Sequence, residues 1–163
     1  MKRILALMCT LALALGLLSG CSASLKTFDT GAGMTISLPS NFEAGDMAGQ
    51  TAYYESPTVI VTVLKETFED LNSYGLGLDA DSEIADYAQI LIDGYELDSG
   101  LEEIDGVSCL KYENSDSGTD VSYLATVTKG PDAFWLVQFA CEKKNYEKFE
   151  SDFITWAKSM KFE

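Results

Sequence analysis

The sequence predicts an α+β fold built on a single central antiparallel sheet flanked by helices. Three observations carry this. Six runs rich in β-branched and aromatic residues lie along the chain, and the last three are joined by short polar turns that suit hairpins. Two other segments repeat apolar residues at helical spacing. Two of the strand runs lack the apolar–polar alternation of a sheet with one wet face, so they are expected to be covered on both faces.

The elements follow in chain order. Met34 to Leu38 (MTISL) is a strand that stops at Pro39. Thr51 to Glu55 (TAYYE) and Thr58 to Leu64 (TVIVTVL) are strands separated by Ser56-Pro57. A helix is predicted over Ser82 to Asp93, with Ile84, Tyr87, Ala88, Leu91 and Ile92 on one face. Asp81 or Ser82 can cap its start and Gly94 can end it. Val107 to Tyr112 (VSCLKY), Val121 to Thr128 (VSYLATVT) and Ala133 to Cys141 (AFWLVQFAC) form a meander, with turns at Asn114 to Thr119 and Lys129 to Asp132. Gln138 is the one polar residue of the last strand. A closing helix over Asn145 to Met160 aligns Tyr146, Phe149, Phe153, Trp156 and Met160, spaced three, four, three and four. Each of these, once fully buried, contributes roughly 1.5–3 kcal/mol.

The N-terminus reads as an address. Lys2 and Arg3 precede an apolar segment, Ile4 to Leu18, too short for a membrane span and fitting the core of a secretory signal. Leu18-Ser19-Gly20-Cys21 resembles the bacterial lipobox. That resemblance implies a signal peptide over 1–20, cleavage before Cys21, and diacylglycerol on the Cys21 thiol with palmitate-type acyl chains. Residues 21–26 are then a lipidated tether, and 27–163 a globular domain on the outer, extracytoplasmic face of the cell membrane.

Composition narrows the function. Without residues 1–20 the chain has 143 residues, nine of the 11 basic residues and all 26 acidic ones, for a charge of −17. Nucleic acid is excluded as a partner, because phosphate binding needs a basic surface. An anionic membrane repels such a domain, so the lipid must do the anchoring. There is no histidine, which removes Ser-His-Asp and Cys-His catalysis and most zinc sites. Gly31-Ala-Gly33 and Gly75-Leu-Gly77 have no third glycine opening a helix, so neither is a dinucleotide loop. No cofactor is expected.

Cys9 leaves with the signal, and Cys109 and Cys141 remain. The meander's turns place Cys109 level with residue 137, with one strand between, near 10 Å laterally, and Cys141 lies four residues farther on. A disulfide needs Cα atoms within about 7 Å, so two free, mostly buried thiols are expected. Asp79, Asp81 and Glu83 form a D-x-D-x-E run and are the candidate cation ligands. The EF-hand pattern wants glycine and glutamate where this chain has Ile84 and Ile90, and the run also opens a helix, where acids favour the dipole. Glu113, Asp116 and Asp120 around the other acidic loop read as solvated surface. The interaction candidates are two loops, Phe42 to Gln50 and Phe68 to Asp79, either of which can bind a partner or fold back over the sheet.

The order of elements resembles the PsbP-like family. The words that carry it are "ISLP" (Ile36 to Pro39) followed by Phe42, then a strand pair, an amphipathic helix, a meander through "IDGVSCLKYE" (Ile104 to Glu113) and an aromatic closing helix. The resemblance spans about residues 26–163. It implies a sheet of six or seven strands between helices, an α/β/α sandwich. It also implies a binding or accessory role with no shared catalytic residues, so no active site is carried over. The expected function is that of a non-enzymatic accessory domain for an envelope protein or complex. The alternatives are cation or small-ligand binding by the acidic loops, and a carboxylate-based hydrolase.

Overall fold

Residues 24–116 and 118–163 are described by a computed structural model. Cys21 and the rest of the lipobox lie outside these residues. Strands β1 (Leu25–Asp29), β2 (Met34–Pro39), β3 (Glu43–Gly45), β4 (Ala52–Glu55) and β5 (Val59–Thr67) come first. Helices α1 (Phe68–Ser73) and α2 (Ile84–Tyr95) follow. Then come β6 (Glu102–Ile104), β7 (Val107–Asp116), β8 (Thr119–Lys129), β9 (Ala133–Glu142), α3 (Tyr146–Lys158) and β10 (Lys161–Phe162).

Seven strands form one antiparallel sheet in the order β3-β4-β5-β9-β8-β7-β6, in agreement with the expected central sheet. A second sheet, β1-β2-β10, is an addition to that expectation. It forms because β10 continues the chain beyond α3 and pairs Lys161 and Phe162 with Thr35 and Met34. Strand β1 takes in Leu25 and Lys26, the last two residues of the segment read as tether.

The central strand β9 supports a core on each side. Toward one side it points Trp135, Val137 and Phe139, which pack with the small sheet's Met34, Ile36 and Leu38 and with Phe153 and Trp156 of α3. Toward the other it points Phe134 and Leu136, which pack with Leu71, Tyr87 and Leu91 of the other helices. Tyr87 lies flat on Phe134, ring centroids 4.7 Å apart and 8° from parallel.

Three local readings are corrected. The helix predicted from Ser82 starts at Ile84, because Glu83 is its N-cap and donates its N–H to Asp86 Oδ2 at 2.8 Å. It also runs through Gly94 rather than ending there. Glu96 takes the left-handed conformation (φ 52), and Leu97 N–H closes the end on Ile92 O at 2.9 Å. The stretch read as a turn at Asn114 to Thr119 is mostly strand: β7 and β8 pair out to Asp116 and Thr119, across a two-residue connection in which Gly118 has φ 87.

In the meander Leu124 lies opposite Phe139 and Cys109 opposite Thr126. Thr126 in turn faces Val137, so Cys109 is level with residue 137, as expected. Cys109 and Cys141 are free and buried.

Candidate functional site

Helices α1 and α2 cover only half of their face of the sheet. Twelve residues of helix reach about 18 Å. That suffices for α2 to cross from β8 and β9 toward β7, but not to cover the other end of β5, β9 and β8. The expectation that β5 and β9 are covered on both faces along their whole length is therefore corrected: Ile60 of β5 is 38% exposed.

The registers of five strand pairs set the composition of this open half. Glu43, Glu55, Ile60, Ala140, Tyr123 and Tyr112 fall in one row across six strands. The next row holds Tyr53, Thr62, Gln138 and Ala125. Here Thr62 Oγ1 donates to Gln138 Oε1 at 2.9 Å, and Gln138 Nε2 donates to the Tyr112 hydroxyl oxygen at 2.7 Å. The glutamine reaches that far because Ala125 on the strand between offers only a methyl group. Tyr112 and Tyr123 stack at 4.7 Å, 7° from parallel. Glu55, Ile60, Thr62, Tyr123, Gln138 and Ala140 floor a cleft of about 560 Å³, walled by Met47, Gln50, Ser56-Pro57-Thr58, Val121 and Asn145.

The charges lining the cleft are Glu55 and Glu142; no lysine or arginine lines it. Glu55 accepts a hydrogen bond from the Tyr53 hydroxyl at 2.7 Å, and Glu142 is ion-paired with Lys144. Cys141 borders the cleft, but burial and then the Glu142 carboxylate push its thiol up, which keeps it protonated and a weak nucleophile. An apolar and aromatic floor with carboxylates at its rim suits binding of a complementary surface.

Burial, followed by neighbouring Tyr95 and Tyr123, also raises the Tyr112 phenol, with the Gln138 hydrogen bond opposing. Tyr87 and Tyr146 are raised too, first by burial and then by the Glu66 hydrogen bond and the Glu150 charge respectively. A raised folded-state value keeps the phenol protonated in the fold while the unfolded chain ionises near 10.0. Stability is thus retained below that pH and lost as pH climbs above it. In an alkaline titration followed by tyrosinate absorbance, these three of the eight tyrosines are expected to lag and to ionise only as the domain unfolds.

The candidate cation ligands Asp79, Asp81 and Glu83 do not line the cleft. Asp79 turns its Oδ1 onto the N–H groups of Asp81 (2.8 Å) and Ser82 (3.2 Å), and Glu83 caps α2. The carbonyls of Ala80 and Ser82 hold the Lys129 ammonium. The D-x-D-x-E run is thus a helix entry whose carbonyls already have a cation. No group of three or more acids, cysteines or histidines among the described residues is placed to hold a metal ion.

Of the two loops, Phe42 to Gln50 divides its work. Phe42 is buried edge-on against Trp156 at 5.5 Å, while Met47 and Gln50 reach the cleft. In Phe68 to Asp79, Leu71 and Leu78 are buried as a lid and Tyr74 and Leu76 are exposed. The floor residues Ile60, Tyr123 and Gln138 were not singled out as a site by sequence reasoning. Gln138, the lone polar residue in its strand, was the one available sign.

No family model matches the sequence, and no curated protein does. Solved structures match at the level of fold. The solution structure of cyanobacterial PsbP (CyanoP) from Synechocystis sp. PCC 6803 aligns with 92% of this chain and 99% of its own, with a TM-score of 0.52 and 16% identity. A crystal structure of a protein from Bacteroides thetaiotaomicron VPI-5482 aligns with 85% of this chain at a TM-score of 0.56 and 16% identity. The alignment covers 48% of that protein, so the chain spans about half its length. At these identities the likeness is one of architecture: the chain has a PsbP-like α+β fold.

Proposed function

We propose that this chain is an envelope lipoprotein, held by lipid on Cys21 at the outer face of the cell membrane. Its domain is a non-enzymatic accessory module that binds an envelope protein across the open half of the sheet. The observation that carries this reading is the open row from Glu55 to Tyr123 that floors the cleft, beside a sheet face that is otherwise closed by helices. A domain that needed only to fold would gain by covering Ile60, since buried apolar area contributes about 25 cal/mol per Å². The lack of histidine and the protonated state of Cys141 favour binding over catalysis. Among the described residues no helix is long and apolar enough to cross a membrane, and the proposed anchoring rests on the lipobox sequence.

Photo-crosslinking in intact cells tests the reading. A photoreactive residue at position 60 is expected to give one discrete protein adduct, and the same residue at Thr155, on the exposed side of α3, to give none.

A further inference from the structure

The open face has a polarity along its row. At one edge Glu43 and Glu55 are direct cross-strand partners, both exposed. Like charges placed opposite each other destabilise a strand pair. Among the described residues no lysine forms an ion pair with either of them. Ile60 and Ala140 make an apolar saddle in mid-row, and the stacked Tyr112 and Tyr123 close the other end. A cation laid between Glu43 and Glu55 would remove their repulsion, and a second can sit on the tyrosine faces, which attract cations.

We infer that the groove takes a basic polypeptide segment. One lysine or arginine meets Glu55, with Glu43 beside it on the edge strand, another meets Tyr123 at the other end, and an apolar side chain rests on Ile60 and Ala140 between them. The inference rests on the binding reading above and names the chemistry of the partner. The dimensions agree with it. Glu55 to Tyr123 spans three inter-strand spacings, about 14 Å. Four extended residues reach about that far, at 3.3–3.6 Å each. The overall charge of −17 without residues 1–20 steers such a segment toward the domain, and Glu55 at the rim, with Glu43 beside it, sets where it settles.

The test uses the full lipidated chain in non-ionic detergent and two labelled peptides, read by fluorescence anisotropy. One is Lys-Arg-Ser-Leu-Leu-Ser-Lys-Arg; the other replaces every Lys and Arg with Glu. The basic peptide is expected to bind at least about tenfold tighter than the acidic one. Glu43→Gln with Glu55→Gln is expected to weaken it about fivefold or more, because two facing carboxylates lose their charge. That pair relieves a repulsion, so folding is preserved.

The control pair Glu147→Gln with Asp152→Gln, on the exposed side of α3, removes the same charge and is expected to change binding by less than about twofold. Equal weakening by both pairs would mean diffuse attraction to an acidic surface and would overturn the inference. Displacement of the basic peptide by an N-acetylglucosamine oligomer would also overturn it, in favour of a glycan. If the position-60 adduct forms while the two peptides bind equally, the partner's basic chemistry is refuted and the reading of a protein partner stands.

Discussion

Phe153→Ala is expected to lower the unfolding free energy by about 3–5 kcal/mol, the range for truncating a buried aromatic. Phe153 is fully buried at the meeting point of α3, β9 and the small sheet. Its ring stacks on Phe139 at 5.3 Å and on Phe149 at 6.0 Å, and it touches Trp156 at 5.6 Å and Tyr146 at 6.2 Å. Removing it opens a cavity and takes the central contact from α3, so relaxation around the hole is restricted. Phe149 is only partly buried, and Phe149→Ala should cost clearly less. Urea denaturation measures both: the midpoint falls and the slope is unchanged. A loss for Phe153→Ala below about 1 kcal/mol would mean that α3 is not seated on β9 as described.

Cys21→Ser is expected to move the protein from the membrane fraction into the medium, or to leave it unprocessed, with the melting temperature of the domain unchanged. Each buried CH₂ of an acyl chain contributes about 0.8 kcal/mol, and two chains are needed for stable anchoring. Loss of the thiol removes that whole contribution. The fold begins closer to this cysteine than the sequence suggested. Leu25 and Lys26 are in β1, and Ser24 O accepts a hydrogen bond from Ser40 N–H at 2.8 Å. Only Ser22 to Ser24 separate the cysteine from the first strand, a reach of at most about 11 Å. Fractionation of cells decides this: a Cys21→Ser protein still processed and still in the membrane would contradict lipid attachment there.

Long patterned elements were legible in the sequence and short paired ones were not. The α3 stripe announced itself because five large side chains repeat at helical spacing, and β5, β8 and β9 because β-branched and aromatic residues run together. The pieces that escaped were β1, β3, β6 and β10, along with the six-residue α1. Glu43-Ala44-Gly45 and Glu102-Glu103-Ile104 carry no strand pattern of their own. They are strands because a neighbour's backbone pairs with them. For β6 a local signal did exist: Asp105-Gly106, both at positive φ (52 and 80), is the two-residue hairpin turn that sets Ile104 against Val107.

The site was hidden for a different reason. Ile60 and Ala140 look like core in a sequence, because strands buried on both faces and strands left half open share one composition. What decides between them is where α2 stops. The row from Glu43 to Tyr112 depends on five strand registers at once, and a one-residue slip in any of them would send part of the row to the opposite face. No local pattern encodes that sum. The acidic run at Asp79, Asp81 and Glu83 has a spacing that suggests cation ligands and a position that opens a helix; in the fold Asp79 bonds the backbone of its own turn, and Lys129 takes the carbonyls of Ala80 and Ser82.

The most direct test of the open sheet face as the working surface is the position-60 photo-crosslink, made in the lipidated chain in intact cells. A discrete adduct from position 60, absent from Thr155 and abolished by adding Ala140→Arg in a protein that still melts cooperatively, is the expected result. Equal adducts from both positions, or none from position 60 while the wild-type chain is still captured by general crosslinkers, would show that partners meet this domain elsewhere.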